Sequence, residues 1–238
     1  MTKYKILSTK KLEASLIEKA KQNNIEIVEQ PAISINTIST KEKWQEIYHY
    51  AEAASQYVVF TSSYAVQAIK SFLHFYVNTT TVQWKIFSLS GRTKESIEGH
   101  LDLFGEIIDT AQDASSLAKK IIEHKVEKVI FFCGNKRRDE LLDALKKAGI
   151  VVKEVIVYNT TETAQPATDD VDGVLFFSPS AVNSFFTVNS LKKNTICFAI
   201  GKTTAKGVFQ FSNNKIIISE LPSQEGMLAA ITRIFHTQ

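Results

Sequence analysis

Two sets of segments recur along the chain in the same order, and this repetition restricts the possible folds more than any other feature of the sequence. Apolar strand-like runs, hydroxyl-rich turns and the stretches after them reappear with similar spacing. The matching pairs are 58–66 (VVFTSSYAV) with 174–182 (VLFFSPSAV), 86–97 (IFSLSGRTKESI) with 197–208 (CFAIGKTTAKGV), and 6–34 with 130–159. Internal similarity of this kind predicts two copies of one structural unit, with chance similarity between α/β segments as the alternative.

Strand-like and helix-like segments alternate throughout the chain. Most of the predicted strands are continuous apolar runs, which are typical of parallel strands covered by helices on both faces. The predicted strands are 4–8, 25–29, 57–61, 85–89, 128–133, 151–157, 173–177, 196–200 and 215–219. The predicted helices are 11–23, 41–54, 64–75, 93–99, 114–124, 138–148, 180–189, 203–210 and 223–236. The alternation predicts an α/β fold with parallel sheets.

Two polar breaks that contain threonine and proline lie at matching points of the two copies, at 30–38 and 159–171. A chain that crosses between the copies at both breaks makes its first domain discontinuous. We therefore expect one α/β domain from 1–35 plus 160–238 and a second from 36–159.

Composition and charge exclude several functional classes. The chain has 238 residues, of which 44% are hydrophobic and 22% charged, as in ordinary globular proteins. A net charge of +3, spread along the sequence, is too weak to predict nucleic-acid binding. No apolar run approaches the roughly 20 residues that cross a bilayer, and the amino-terminal stretch does not resemble a signal peptide. We expect a cytoplasmic protein in which Cys133 and Cys197 are reduced.

The sequence lacks the familiar cofactor signatures. Gly201 and Lys202 resemble the end of a phosphate-binding loop, but Ile196 stands where its first glycine would be. No strand is followed by a Gly-x-Gly-x-x-Gly motif, and the five histidines are too scattered for a zinc site. We therefore expect no cofactor and no metal, which leaves a cofactor-free enzyme or a binding protein.

Hydroxyl side chains recur where predicted strands lead into predicted helices. In open α/β sheets ligands bind outside the carboxyl ends of the strands, where helix N-termini offer free N–H groups to anions. Serine and threonine at such turns are also ordinary helix caps, which is the alternative interpretation for each of them. These residues are Thr61, Ser62 and Ser63, then Thr93, then Ser178 and Ser180, and finally Thr204.

The ordered set FTSSYAV, GNKRRDELLDAL, VYNT, FFSPSAV and AIGKTTA resembles the uroporphyrinogen-III synthase family, over essentially the whole chain. The resemblance implies two α/β domains joined by a two-stranded linker, with the active site in the cleft between them. It also implies a cofactor-free reaction, in which linear hydroxymethylbilane loses water and closes to a macrocycle with ring D inverted. A small-molecule substrate and a monomer are expected, without nucleic-acid or membrane partners.

The same resemblance assigns roles to particular residues. Tyr158, in VYNT, is the expected catalytic residue, because a phenol can donate a hydrogen bond to the departing hydroxyl. In the first copy Ser90 replaces the glycine that the second copy has at 201, so the contact expected of Thr93 is the least supported. Arg137, Arg138 and Asp139 resemble features of the family, but their position at a predicted helix start favours two surface arginines and an Asp cap. The expected substrate-binding residues are Thr61, Ser62, Thr93, Ser178, Ser180, Lys202 and Thr204.

Two other functions remain open at the level of sequence. A two-domain sensor that binds a small anion without turnover would keep the same fold and the same hydroxyl turns. A nucleotide-dependent α/β enzyme is the other alternative, and the missing glycine motifs disfavour it.

Overall fold

The computed structural model describes residues 4–53, 55–76, 82–167 and 170–236. The strands in this part of the chain are β1 (Tyr4–Ser8), β2 (Ile25–Glu29), β3 (Ile33–Thr37), β4 (Tyr57–Phe60), β5 (Trp84–Leu89), β6 (Gly105–Ala111), β7 (Lys128–Gly134), β8 (Val151–Glu162), β9 (Gly173–Phe176), β10 (Ile196–Ala199) and β11 (Ile216–Ile218). The helices are α1 (Ala14–Gln22), α2 (Lys41–Glu52), α3 (Ser63–Tyr76), α4 (Arg92–Glu98), α5 (Leu101–Phe104), α6 (Ala114–Glu123), α7 (Glu140–Lys147), α8 (Pro179–Val188), α9 (Lys202–Phe211) and α10 (Gln224–His236). None of these helices has the length and apolarity needed to cross a bilayer.

The first compact unit comprises residues up to Ser34 and from Thr161 onward. Its sheet has the strand order β11-β10-β9-β1-β2, and its neighbouring strands are parallel. Consecutive strand residues point to opposite faces, so Ile6 packs under α1 and α10 while Leu7 packs under α8 and α9. Helices on both faces are what a parallel sheet with continuous apolar strands requires.

The second compact unit runs from Ile35 to Thr160. Its sheet has the order β3-β8-β7-β4-β5-β6. One face packs against α2 to α5 in a core that contains Phe60 and Phe72, and the other packs against α6 and α7 around Phe131. Each unit is therefore a mainly parallel sheet with helices on both faces, which confirms the predicted α/β fold class.

The chain passes from the first unit to the second within β3 and returns within β8. These two strands are neighbours in the six-stranded sheet. Ile38 N donates to Val157 O at 2.9 Å, and Thr163 N donates to Ala32 O at 2.9 Å. The residue number falls along one strand as it rises along the other, so the pair is antiparallel. That the two units fold as separate domains stays a prediction.

Three elements lie outside the sequence prediction: β3, β6 and α5. The prediction relied on continuous apolar runs, and neither strand has one. β3 carries no fully buried side chain, and β6 is the last strand of its sheet, with only Ala111 fully buried. β8 also continues to Glu162, past the predicted end at 157, through a polar stretch. Strands at an edge or in a connection need fewer apolar residues, so the pattern does not reveal them.

We predict that two glycine-to-alanine changes in the helices of the first unit have opposite effects on stability. A Cβ at Gly207 would lie 3.7 Å from Val182 Cγ1, an ordinary contact, whereas one at Gly226 would lie 2.3 Å from the carbonyl oxygen of Leu221. Gly207→Ala should raise the free energy of unfolding by about 0.5–1 kcal/mol, the usual gain inside a helix. Gly226→Ala should lower it. Urea denaturation measures the free energy of unfolding of both variants. An equal change in the two variants would contradict the packing described around these glycines.

Candidate active site

The turn between β4 and α3 forms one corner of the second unit. Ser62 stands just before the helix and caps it: its Oγ accepts from Tyr64 N at 3.2 Å, and its carbonyl oxygen accepts from Ala65 N at 3.1 Å. Thr61 and Ser62 are half-buried. The capping predicted for this turn is therefore present, and it fixes the Ser62 hydroxyl at the carboxyl end of the sheet.

The structure brings Tyr158 to this same corner. The Tyr158 hydroxyl donates to Ser62 Oγ at 3.1 Å, although the two residues are 96 positions apart in the sequence. The Tyr158 ring packs against the core of the second unit, and its centroid lies 5.9 Å from that of Tyr64. Two of the predicted site residues, one from β8 and one from the β4–α3 turn, are thus joined by a direct hydrogen bond.

The surroundings of Tyr158 keep its phenol protonated. Burial raises the pKa of Tyr158 above its ordinary value, and this effect exceeds the lowering that the hydrogen bond to Ser62 produces. Burial has this sign because it penalises the charged phenolate. At neutral pH the group is therefore a neutral hydrogen-bond donor, which is the form that a departing hydroxyl requires.

Thr93 lies at a separate turn, after β5. Gly91 precedes α4 with φ +71°, a conformation that favours glycine, and Thr93 is only 7% exposed. Its side chain is thus largely enclosed by the second unit. A role in binding substrate stays a prediction for this residue.

In the first unit, two strand-to-helix turns follow the neighbouring strands β9 and β10. After β9, Ser178 Oγ accepts from Ala181 N at 3.1 Å, so Ser178 caps α8 and Ser180 follows in the first turn. After β10, Gly201 precedes α9, and a Cβ at this position would meet nothing within 4 Å. No side chain caps α9 at this position, and the start of a helix favours an anion.

The two remaining predicted residues follow Gly201 in α9 and differ in exposure. Lys202 is exposed, whereas Thr204 is only 3% exposed. Lys202 can therefore reach a ligand carboxylate at little cost, while the Thr204 hydroxyl is confined to the helix start. Their roles in binding stay predictions.

Arg137 is half-buried and is held within the second unit. Its Nε donates to Glu154 at 2.5 Å, and its Nη1 donates to Asp139 at 2.6 Å. Asp139 makes no capping hydrogen bond with its side chain, so the predicted Asp cap is wrong. Asp139 has helical backbone angles (φ −81°, ψ −15°) and not the extended conformation usual for a capping residue, and its carboxylate accepts from Arg137 instead.

Sequence reasoning missed one neighbour of the turn after β9. Lys10 follows β1, the strand beside β9, and its Nζ lies 5.8 Å from the centroid of the Phe177 ring. The available signal in the sequence was a lysine two residues after the end of an apolar strand.

The described residues contain no cluster of histidine, cysteine and carboxylate side chains that could hold a metal ion. Cys133 and Cys197 are free and buried, and burial raises the pKa of each thiol to about 12. Both are therefore protonated at neutral pH, and neither can serve as a thiolate nucleophile.

Comparison with known proteins identifies what the chain resembles. The profile of the family described as Uroporphyrinogen-III synthase HemD matches residues 14–229. The porphyrin biosynthesis protein HemD of Ruminiclostridium josui is 25% identical over 251 residues, covering 97% of this chain and 48% of that protein. The chain thus spans about half the length of the curated relative that it matches.

Two solved structures share the fold. A mutant uroporphyrinogen III synthase from the extremely thermophilic bacterium Thermus thermophilus has a TM-score of 0.71 at 12% identity, covering 99% of this chain and 100% of that one. The uroporphyrinogen-III synthetase of Helicobacter pylori has a TM-score of 0.66 at 15% identity, covering 97% and 99%. Both matches extend over the two compact units.

We predict that Ser62→Ala raises the pKa of Tyr158 further. The hydrogen bond to Ser62 lowers this pKa, so its loss leaves the effect of burial less opposed. The change also removes a helix cap and should cost about 0.5–2 kcal/mol of unfolding free energy. Ultraviolet absorbance measured against pH gives the pKa values of the tyrosines, and the transition that is missing in Tyr158→Phe is the one that belongs to Tyr158. Ser63→Ala, one residue further on, is the control, and an unchanged pKa in Ser62→Ala would contradict the contact.

Proposed function

The chain belongs to the uroporphyrinogen-III synthase family, and we propose that it catalyses the reaction for which the family is named. In this proposal it converts hydroxymethylbilane to uroporphyrinogen III, with inversion of ring D and loss of water, within tetrapyrrole biosynthesis. The family match over residues 14–229 supports the proposal. The observation that carries it is the hydrogen bond between Tyr158 and Ser62, which holds a neutral phenol at the carboxyl edge of the second sheet.

Tyr158 assists the first chemical step. The terminal C–O bond of hydroxymethylbilane breaks as the pyrrole nitrogen pushes electrons toward the carbon, leaving an electrophilic azafulvene. A phenol within hydrogen-bonding distance donates to the departing oxygen, which leaves as water after it gains a proton. The substituted carbon of ring D then attacks, and the resulting spirocycle fragments and closes in the inverted sense. The departing oxygen takes its proton from the Tyr158 phenol, and the proton that the free α-carbon of ring D loses on the final closure returns to the phenolate, so the net change is the loss of one water.

Ser62 can stay hydrogen-bonded to Tyr158 while the phenol donates its proton to the substrate. A hydroxyl group has one proton to donate and two lone pairs that accept, so either member of the Tyr158–Ser62 pair can be the donor. In the structure Tyr158 donates to Ser62. When Tyr158 donates to the departing oxygen instead, the Ser62 proton can turn to the phenolic oxygen. The pair therefore keeps its hydrogen bond while the phenolic proton serves the substrate.

The hydroxyl turns bind the carboxylates of the substrate, which bears acetate and propionate groups. Thr61 and Ser62 serve in the second unit, and Ser178 and Ser180 beside the start of α8 serve in the first. Backbone N–H groups at these helix starts carry much of the binding, because a helix start offers more donors than one capping side chain satisfies and has a favourable dipole. Lys202 adds a positive charge, while Thr93 and Thr204 contribute less because they are nearly buried.

The main task of the protein is to fold the linear substrate so that the inverted closure is faster than direct closure. Holding the reacting groups in the right orientation supplies a large part of the reduction of the activation barrier, and it requires no redox chemistry. We propose that the enzyme works without a cofactor, as a cytoplasmic monomer whose domains are the two compact units. The free, buried cysteines Cys133 and Cys197 support a reducing compartment.

We predict that the purified protein converts freshly generated hydroxymethylbilane mainly to the type III isomer. Oxidised products are separated by chromatography, and no cofactor is added. Production of the type I isomer alone, which is the product of spontaneous closure, would contradict the proposed function.

In the same assay Tyr158→Phe should lower kcat roughly 10- to 100-fold with little effect on folding, because only the phenolic hydroxyl is removed. Tyr57→Phe is the matched control, since Tyr57 begins β4 at the other end of the strand from Ser62. Unchanged turnover in Tyr158→Phe would mean that orientation alone drives the reaction.

A further inference from the structure

We propose that Gly134 and Asn135, at the end of β7, are positioning residues that hold the Tyr158 phenol against Ser62. The inference rests on the proposed function in one respect, namely that the position of the phenol matters for turnover. The structural part depends only on contacts within the second unit.

The pairing of β7 with β8 changes register next to Tyr158. The strands pair regularly from Lys128 with Val151 up to Cys133 with Ile156, and then Gly134 pairs with Tyr158. One residue of β8, Val157, is therefore bulged out of the ladder. A bulge of this kind re-aims the side chain that follows it. Val155 and Val157 are buried in the core beneath α2 to α5, and the bulge lets Tyr158 pack against that same core.

Gly134 provides the space that the re-aimed ring occupies. A Cβ at this position would lie 2.3 Å from Tyr158 Cζ and 2.8 Å from its hydroxyl oxygen. Any other residue would therefore overlap the reacting end of the side chain. The overlapped atoms are the far end of a side chain and not backbone, so an alanine displaces the phenol while the strands stay paired.

Asn135 fixes the backbone on the other side of Tyr158. Its N–H donates to Tyr158 O at 3.2 Å, and its Oδ1 accepts from Thr160 N at 2.8 Å. Its Nδ2 also donates to Thr160 O at 3.4 Å. The side-chain amide thus continues the ladder where the backbone of β7 no longer reaches, which stops β8 from shifting along its axis.

The first unit repeats the same architecture but lacks the glycine and the asparagine. Its equivalent strands β1 and β2 pair regularly from Tyr4 with Ile25 to Ser8 with Glu29, and the register changes just beyond them, where Ala32 N donates to Thr9 O at 3.1 Å. The repeat places Lys10 and Lys11 where the second unit has Gly134 and Asn135. A change of register is therefore common to both units, whereas the glycine and the asparagine occur in the unit that contains the tyrosine. If the fold itself needed these two residues, both units would have them.

The first test follows the phenol directly and needs no activity. Tyrosine labelled with carbon-13 at Cζ is incorporated, Tyr158 is assigned with Tyr158→Phe, and the signal is titrated with pH. In Gly134→Ala the pKa of Tyr158 should fall toward the ordinary tyrosine value, because the ring leaves its buried position. Gly99→Ala is the matched control, since a Cβ there makes an ordinary 3.7 Å contact. A wild-type pKa in Gly134→Ala overturns the proposal.

The second test is kinetic. Gly134→Ala should lower kcat roughly 10- to 100-fold with little change in KM, because the misplaced phenol affects the transition state and not binding. In the Tyr158→Phe background the same change should cause no further loss, since the group that it displaces is already gone. A full additional loss in the double variant would mean that Gly134 acts independently of the phenol and would overturn the proposal.

Asn135 is tested by a conservative pair of variants. Asn135→Asp keeps the acceptor for Thr160 N and should retain most of the wild-type turnover. Asn135→Ala removes this acceptor, so turnover should fall and the pKa of Tyr158 should move toward the ordinary tyrosine value, as in Gly134→Ala. Equal turnover and an equal pKa of Tyr158 in the two variants would overturn the role proposed for the Asn135 side chain. A wild-type protein that makes no type III isomer refutes the proposed function alone, because the titration still reports whether the phenol is positioned.

Discussion

Parallel pairing of the strands is the constraint on which both compact units depend. A parallel sheet needs helices on both faces, and a strand that crosses over to a parallel neighbour leads into a helix through a turn at its carboxyl end. The starts of α3 and α4 therefore share one edge of the second sheet, as those of α8 and α9 share one edge of the first. Hydroxyl residues that cap α3 and α8, or that lie in the first turn of α4 and α9, are thereby collected at two edges, where helix starts favour carboxylates.

The two units use this common design differently. In the first unit Gly201 precedes α9, a Cβ there would meet nothing within 4 Å, and the exposed Lys202 supplies a positive charge beside it. In the second unit the corner holds a neutral phenol instead, because the change of register in β8 lets Tyr158 reach Ser62. In the proposed function the first unit holds anionic groups of the substrate, and the second adds the group that assists loss of water.

The sequence predicted the parts of the fold that have an apolar pattern, such as β1 and the predicted helix at 180–189. It could not reveal β3 and β6, whose side chains are only partly buried. For the site, the internal repeat and the hydroxyl turns predicted the strand-to-helix turns at which α3 and α8 begin, and binding of a ligand at these turns stays a prediction. The contact between Tyr158 and Ser62 was beyond reach, because it depends on a one-residue change of register between two strands. Likewise, the ion pairs of Arg137 follow from side-chain directions that no residue pattern specifies.

The central claim is that a tetrapyrrole binds at the carboxyl edges of the two sheets. Backbone amide chemical shifts, measured before and after addition of uroporphyrinogen III under reducing conditions, test this claim most directly. The account predicts the largest changes at 61–64 and 134–135 in the second unit and at 178–181 and 201–204 in the first. Changes confined to other surfaces, such as the exposed side of α10 or the amino ends of the strands, would contradict it.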